Sequence, residues 1–315
     1  MSKYRHHLPQ LGRRPFLTDG GLETTLIFHR GIDLPHFAAF VLLRDEAGRR
    51  ELADYYRPYL AAARAARAGF ILDSATWRAS ADWGARLGYS KLEIARANQD
   101  AIDLLIDLRA EHETADFPIV VSGAIGPRGD GYEPGELMDV GEAEAYHAHQ
   151  IEAFAGSHAD MVGAFTMTNV AEAVGIARAA QRFALPVMIS FTVETDGALP
   201  TGMPLHRAIE AVDEATDASP AYYMINCAHP THFTSALDVA GPWIERLKGI
   251  RANASRRSHA ELNEAPDLDA GDPDELGLEY RTLRRRFPNL TVLGGCCGTD
   301  HRHVSCISRA VAMAA

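Results

Sequence analysis

Long apolar runs and an excess of basic residues are both missing from this sequence of 315 residues. No apolar run reaches the ~20 residues that a membrane-spanning helix needs, and the N-terminal stretch 1–14 lacks the apolar core of a secretory signal. Acidic residues outnumber basic ones by 42 to 31, which gives a formal net charge of −11. Because nucleic-acid binding needs a basic face, this charge disfavours such a partner. We therefore expect a cytoplasmic protein that binds neither a membrane nor a nucleic acid.

Cysteine is scarce too, with four residues in the whole chain. That number does not suit the disulfide framework of a small secreted domain. Cys227 ends one apolar run, and Cys296 and Cys297 end another after two glycines. Three thiolates that leave one position open are the ligand set of a catalytic zinc site, and three cysteines buried in a core are the alternative. The pattern favours Zn²⁺ as a cofactor.

A glycine-rich phosphate loop is also missing. Gly20 and Gly21 follow the first apolar run without the third glycine of a dinucleotide-binding turn, and no P-loop motif occurs. This disfavours a doubly wound open sheet. Short apolar runs alternate with longer stretches of helical spacing, which predicts a (β/α)8 TIM barrel. We expect a single domain over residues 1–315, in which residues 1–14 form an N-terminal extension.

The alternation defines eight strands and the helices between them. The predicted strands are 16–18, 70–74, 119–122, 161–165, 187–192, 223–226, 249–252 and 291–293. The predicted helices are 51–68, 91–111, 143–158, 170–183, 205–216, 233–247 and 274–287, followed by a last helix that Asp300 caps and that ends near residue 313.

Polar residues and glycines follow the strands, where barrel sites lie. Loops 24–35 and 255–274 are candidates for a lid, and the second, highly charged loop is alternatively a solvated excursion.

Four motifs carry a family resemblance: 19–23 (DGGLE), 190–192 (SFT) with 202–205 (GMPL), 225–230 (INCAHP) and 294–299 (GGCCGT). Together they resemble the motifs of the zinc-dependent homocysteine S-methyltransferases. That family includes the betaine–homocysteine and S-methylmethionine–homocysteine enzymes. The resemblance extends from residue 16 to about residue 306 and implies the (β/α)8 barrel.

By this resemblance Cys227, Cys296 and Cys297 are the catalytic zinc ligands. Asp19 resembles the residue that contacts the amino group of the acceptor, and Asn253 resembles an asparagine that fills the fourth zinc position when substrate is absent. The substrate-binding residues that we predict are Asp19, Gly20, Glu23, Trp77, Phe165, Thr192, Asn226 and Asn253.

The sequence departs from the family at two strand ends. Phe165 stands where relatives have a glutamate that helps to bind the amino-acid end of homocysteine, and Ala75 stands where asparagine is common. Because a buried ammonium needs polar partners, this departure predicts an acceptor pocket that selects less strongly for an α-amino group. Trp77 and Phe165 either face a cationic methyl donor or fill the barrel mouth.

We therefore hypothesise an S-methyltransferase of methionine biosynthesis. It would move a methyl group from a small sulfonium or quaternary ammonium donor to a zinc-bound thiol, with homocysteine as the expected acceptor. The alternatives are another thiol that is not an amino acid, a zinc-binding barrel without methyl transfer, and a zinc hydrolase with Glu23 or Glu194 as its base. The oligomeric state is open, and a homo-oligomer is compatible with the sequence.

Four further residues are predicted to lie outside the chemistry. His229 precedes a proline and suits a structural corner, and Cys306 suits the core face of the last helix. His301 and His303 begin that helix and are expected at the surface.

Overall fold

Eight parallel strands form a closed barrel in the computed structural model, which describes residues 2–312 and the side chains up to residue 310. Each strand pairs with the next along the chain, and the first pairs with the last. The predicted (β/α)8 barrel is therefore confirmed. The strands are β1 Phe16–Leu17, β2 Gly69–Asp73, β3 Ile119–Ile125, β4 Met161–Met167, β5 Val187–Phe191, β6 Tyr222–Asn226, β7 Leu247–Ala252 and β8 Val292–Gly295.

Helices surround the barrel. They are α1 Leu22–Thr24, α2 Glu46–Ala65, α3 Ala81–Arg86, α4 Lys91–His112, α5 Val140–Ala155, α6 Val170–Arg182, α7 Leu205–Thr216, α8 Pro230–Phe233, α9 Trp243–Arg246, α10 His259–Asn263, α11 Pro273–Arg286 and α12 His301–Ala312. Within the described residues, no helix is long and apolar enough to cross a membrane.

The strands are apolar on both faces because each face meets a different part of the core. One face packs against the helices, and the other fills the barrel interior with large side chains such as Phe16, Met161, Met188 and Met224. This two-sided burial explains why the strands appear in sequence as continuous apolar runs rather than as an alternation.

Two predictions about helical segments were wrong. The segment 233–247 does not form one helix. The α8 helix ends at Phe233, a short 3-10 turn covers Ala236–Asp238, and α9 begins only after the Gly241-Pro242 pair. His303 is not at the surface: its ring is buried and bonds to Asp300 and to the Ala270 carbonyl.

Other boundaries are close to those predicted. The α2 helix begins five residues earlier than expected, because Asp45 accepts the Gly48 N–H and caps it at Glu46. Asp300 accepts the backbone N–H of Arg302 at the start of α12, as expected of a cap. The predicted end of this helix, at residue 313, lies outside the described residues.

The N-terminal extension packs across the end of the barrel at which the strands begin, which we call the closed end. The backbone N–H groups of Lys3 and Tyr4 donate to Asp160 Oδ1 at 2.7 and 2.8 Å. Buried Gln10 donates to the Met161 sulfur at 3.1 Å. This packing leaves the carboxyl ends of the strands, the open end, as the face at which a site can form.

Candidate metal and substrate site

Three cysteine thiols meet at the open end of the barrel. Cys227 directly follows β6, and Cys296 and Cys297 directly follow β8. The Cys227 sulfur lies 2.6 Å from that of Cys296 and 3.9 Å from that of Cys297, and all three lie within 4.8 Å of one another. Sulfurs about 2.3 Å from a tetrahedral zinc would be roughly 3.8 Å apart. The three residues therefore form a group that can hold one metal ion.

The backbone around the thiols is closely packed and strained. A side chain at Gly295 would place its Cβ 2.0 Å from the Thr299 hydroxyl, so β8 can reach the thiol corner only with glycine at this position. Cys227 has a left-handed φ of 55°, and so does Thr166 on β4, with 62°. Left-handed non-glycine residues cost free energy and cluster at functional sites.

Asn226 ties these strained residues together. Its Oδ1 accepts from the Thr166 N–H at 2.8 Å and from the Ser190 hydroxyl at 2.6 Å, and its Nδ2 donates to the Thr166 hydroxyl at 2.8 Å. The same Nδ2 lies 3.9 Å from the Cys296 sulfur. Asn226 therefore holds three strand ends around the thiols, which is a positioning role.

The thiols differ in acidity because they bond to one another. Hydrogen bonds from Cys227 and then Cys297 hold the pKa of Cys296 well below its usual range. The bond with Cys296 raises the pKa of Cys227 well above its usual range. One thiolate thus forms readily, and a cation among the sulfurs would favour deprotonation of the other two thiols.

A buried amide oxygen beside the thiols fits a metal site as well. Asn253 donates from Nδ2 to the Cys227 carbonyl at 3.0 Å, while its buried Oδ1 has no hydrogen-bond donor among the described residues. A buried acceptor without a donor calls for an explanation such as an ion or a water molecule. The residues present therefore fit a zinc ion, although Asn253 itself does not line the substrate cavity described next.

A cavity with room of about 200 Å³ opens above the three thiols. Thr192, by contrast, is fully buried outside it, 3.4 Å from His259 Nε2. The predicted residues that line the cavity are Cys227, Cys296, Cys297, Asp19, Gly20, Glu23, Trp77, Phe165 and Asn226.

An arginine that the sequence analysis missed lies at the base of this cavity. Arg251 on β7 donates through Nη2 to Asp19 Oδ1 at 2.5 Å and through Nη1 to Asp73 Oδ2 at 2.8 Å. The other Asp19 oxygen accepts from the Tyr55 hydroxyl at 2.9 Å. Both oxygens of Asp19, the predicted contact for the acceptor's amino group, are therefore bonded within the protein.

Arg251 remains charged although it is buried. Burial alone would lower its pKa, but the charges of Asp19 and then Asp73 outweigh this effect and raise it. A signal for this residue was present in the sequence, since it is the one arginine of an apolar strand, between Ile250 and Ala252.

Glu23 is the acidic residue that this network does not include. It follows Gly21, which approaches the Cys296 carbonyl so closely that a Cβ there would lie 2.7 Å from it. Glu23 lines the cavity, and its carboxylate forms no ion pair and no hydrogen bond with another of the described residues. Burial raises its pKa to about 7.

The two aromatic residues at the cavity already face arginines. The Arg78 guanidinium lies 4.1 Å from the centre of a Trp77 ring, and that of Arg251 lies 5.0 Å from the centre of the Phe165 ring. Phe165 also packs into the barrel interior and is 7% exposed. Phe165 is therefore mainly a core residue, and the cation that faces its ring is Arg251 of the protein itself.

Tyr132 and His259 border the thiols and were not predicted. Their rings stack with centres 4.1 Å apart, and the Tyr132 hydroxyl lies 3.5 Å from the Cys297 sulfur. His259 bonds through Nε2 to the Cys227 carbonyl at 2.7 Å and through Nδ1 to Glu194 at 3.0 Å. Glu194 is thereby engaged away from the cavity and is poorly placed as a hydrolytic base.

Comparisons with known proteins agree with this site. The sequence model of the family described as homocysteine S-methyltransferase matches residues 16–311. Homocysteine S-methyltransferase 4 of Zea mays is 23% identical over 314 residues, which covers 94% of this chain and 89% of the maize protein.

Solved structures give the same fold. The oxidised form of the homocysteine methyltransferase MmuM from Escherichia coli has a TM-score of 0.72 at 20% identity and covers 98% of this chain and 99% of its own. The metallated form of that enzyme has a TM-score of 0.70 at 20% identity, with coverage of 96% and 98%. The resemblance seen in the sequence is thus confirmed. The chain belongs to the homocysteine S-methyltransferase family, and it is a methyltransferase.

Proposed function

We propose that the protein methylates the sulfur of homocysteine at a zinc site formed by Cys227, Cys296 and Cys297. The observation that carries this proposal is the meeting of three thiols at a cavity. The undonated oxygen of Asn253, whose amide bonds to the Cys227 carbonyl, supports it. Family membership supports homocysteine as the acceptor. The metallated form of the Escherichia coli relative supports a bound metal in this chain.

Zinc bound by three thiolates would supply a Lewis acid that lowers the pKa of an acceptor thiol, so that the nucleophilic thiolate is present near neutral pH. The chain's own residues then fix geometry. Asn226 holds the strand ends that carry Cys227 and Thr166, and Arg251 braces the strand ends of Asp19 and Asp73. Such positioning lowers the barrier by keeping the reacting atoms in line.

We infer that the donor is a sulfonium or a quaternary ammonium compound. The acceptor sulfur forms a bond to the methyl carbon as the carbon–sulfur or carbon–nitrogen bond of the donor breaks, and the donor leaves as a neutral thioether or amine. The thiol proton passes to solvent. The stacked Tyr132 and His259 rings border the thiols and would limit water at the reacting atoms.

The test is direct. Zinc-loaded protein is incubated with homocysteine and either S-methylmethionine or betaine, and methionine is measured by mass spectrometry. Methionine formed with at least one donor by the wild type, but not by Cys297→Ala, is the expected result. No methionine with either donor would contradict the proposal.

A reducing compartment suits this site, so we propose that the protein works in the cytoplasm. The four cysteines are free thiols, and cysteine ligands must stay reduced to hold a metal. The partners that we propose are the two small substrates, the thiol and the methyl donor.

A further inference from the structure

The acidic side chains that line the cavity are Asp19, Glu23, Asp73 and Asp130. Three of them already face an arginine. Asp19 and Asp73 bond to Arg251 at 2.5 and 2.8 Å, and Asp130 lies 3.5 Å from Arg78. Among the described residues, Glu23 is the only cavity carboxylate without a cation.

A ligand cation in this cavity has one anionic partner left. Displacing Arg251 from Asp19 would leave a buried guanidinium with fewer partners, and breaking a buried ion pair in this way is costly. Phe165 on β4 is uncharged, and its ring is packed into the barrel interior. Neither position therefore offers a free carboxylate to an ammonium group.

Glu23 is placed to take this role. It lies two residues beyond Gly21, which approaches the Cys296 backbone, and Glu23 lines the same cavity as the three cysteines. In homocysteine the nitrogen is separated from the sulfur by only three carbon atoms, so one molecule can span the two groups. Burial raises the pKa of Glu23, and a cation beside the carboxylate would favour its charged form.

We propose that Glu23, rather than Asp19, holds the α-ammonium of homocysteine, and that Arg251 takes the place of that ammonium at Asp19. The inference rests on the proposed function. It assigns acceptor selectivity to a residue of α1, the short helix that follows β1.

The experiment measures thiol binding to the zinc-loaded protein by calorimetry, which needs no methyl donor. Two probes are compared: homocysteine, and mercaptobutyrate, which is homocysteine without its amino group. The wild type should bind homocysteine roughly ten- to hundredfold more tightly, as expected for a charged hydrogen bond. In Glu23→Gln this preference should fall to about threefold or less, with mercaptobutyrate binding retained.

Two variants serve as references. Glu210→Gln makes the same change of charge on the exposed partner of Arg207, and its preference should match that of the wild type. Glu23→Asp keeps the charge and should keep part of the preference. Retained mercaptobutyrate binding in Glu23→Gln would show that the site is still folded.

Two results would overturn the inference while leaving the proposed function intact. The first is an equal loss of affinity for both thiols in Glu23→Gln, which would assign Glu23 to another part of the substrate. The second is a wild type that binds both thiols equally, which would mean that the pocket does not recognise the amino group. If neither thiol binds the zinc-loaded wild type, the proposed function and the inference both fail.

Discussion

The two ends of the barrel each bury an arginine against aspartate, but among the described residues only the open end has a cavity lined by a carboxylate that lacks an ion pair. At the closed end, Asp160 receives the Arg109 guanidinium at 2.6 Å and the backbone N–H groups of Lys3, Tyr4 and Val121. All of these partners come from the chain itself. Asp160 therefore has its partners without a ligand.

The open end is built from similar charges but is incomplete. Arg251 is satisfied, yet Glu23 has no cation and Asn253 Oδ1 has no donor among the described residues. Thr166 and Cys227 at the same end are strained. A buried ion pair alone therefore does not identify a functional site. Unsatisfied polar groups, strained backbone and a cavity that occur together do indicate one.

The largest effect should come from removing a thiol. Cys296→Ala or Cys297→Ala takes away one of three ligands, so zinc measured by elemental mass spectrometry should fall from about one ion per chain to a small fraction of that. Methyl transfer should be lost with it. Cys306→Ala is the control, because this thiol lies on α12 beside Asp274 and Arg309. Full zinc content in both single variants would refute the metal assignment.

The next largest effect should arise at the closed end and concern stability alone. Asp160→Ala leaves the buried Arg109 guanidinium without its partner, so the free energy of unfolding should fall by about 3–5 kcal/mol. Denaturation by urea measures this change. Asp54→Ala removes an exposed partner of Arg57 and should change stability by less than about 1 kcal/mol. Similar changes in the free energy of unfolding for the two variants would contradict the larger contribution that we expect from the buried pair.

A smaller effect is expected at Glu23, where substitution should raise the free energy of unfolding rather than lower it. The folded pKa of about 7 exceeds the ordinary 4.5, because burial disfavours the charge and the nearby Cys296 and Asp19 charges add to this effect more than Arg251 offsets it. The folded state therefore loses stability as pH rises from about 4.5 to 7 and the carboxylate ionises.

Glu23→Gln should remove the loss of stability that accompanies ionisation of the carboxylate. In metal-free, reduced protein the variant should be more stable than the wild type by about 1 kcal/mol at pH 8, with the difference vanishing below pH 4.5. Urea denaturation at both pH values measures it. A variant that is less stable than the wild type at pH 8 would show that Glu23 has a structural partner.

The sequence predicted the barrel because strand burial leaves a local signal. All eight strands coincide with apolar runs, and the thiol pair follows a strand in which Gly295 has no space for a side chain. The prediction of one helix over 233–247 was wrong because the segment has helical spacing but is interrupted by the Gly241-Pro242 pair.

The ion pairs of the site were harder to predict than its charged residues, because the pairing depends on which strand residues point into the barrel. Arg251 pairs with aspartates 232 and 178 positions away, and nothing local indicates that its side chain points into the barrel. The stacking of Tyr132 on His259 likewise joins two loops that are distant in sequence. Which acids are already paired, and hence that Glu23 is not, follows only from these long-range contacts.

The central claim is that the three-thiol site holds the acceptor as a thiolate, and proton release tests it most directly. Zinc-loaded protein is titrated with homocysteine near pH 7 in buffers of different ionisation enthalpy. A free thiol has a pKa of ~8.5, so binding as the thiolate should release close to one proton, and the measured enthalpy should vary with the buffer. Binding with the same enthalpy in every buffer would contradict the account.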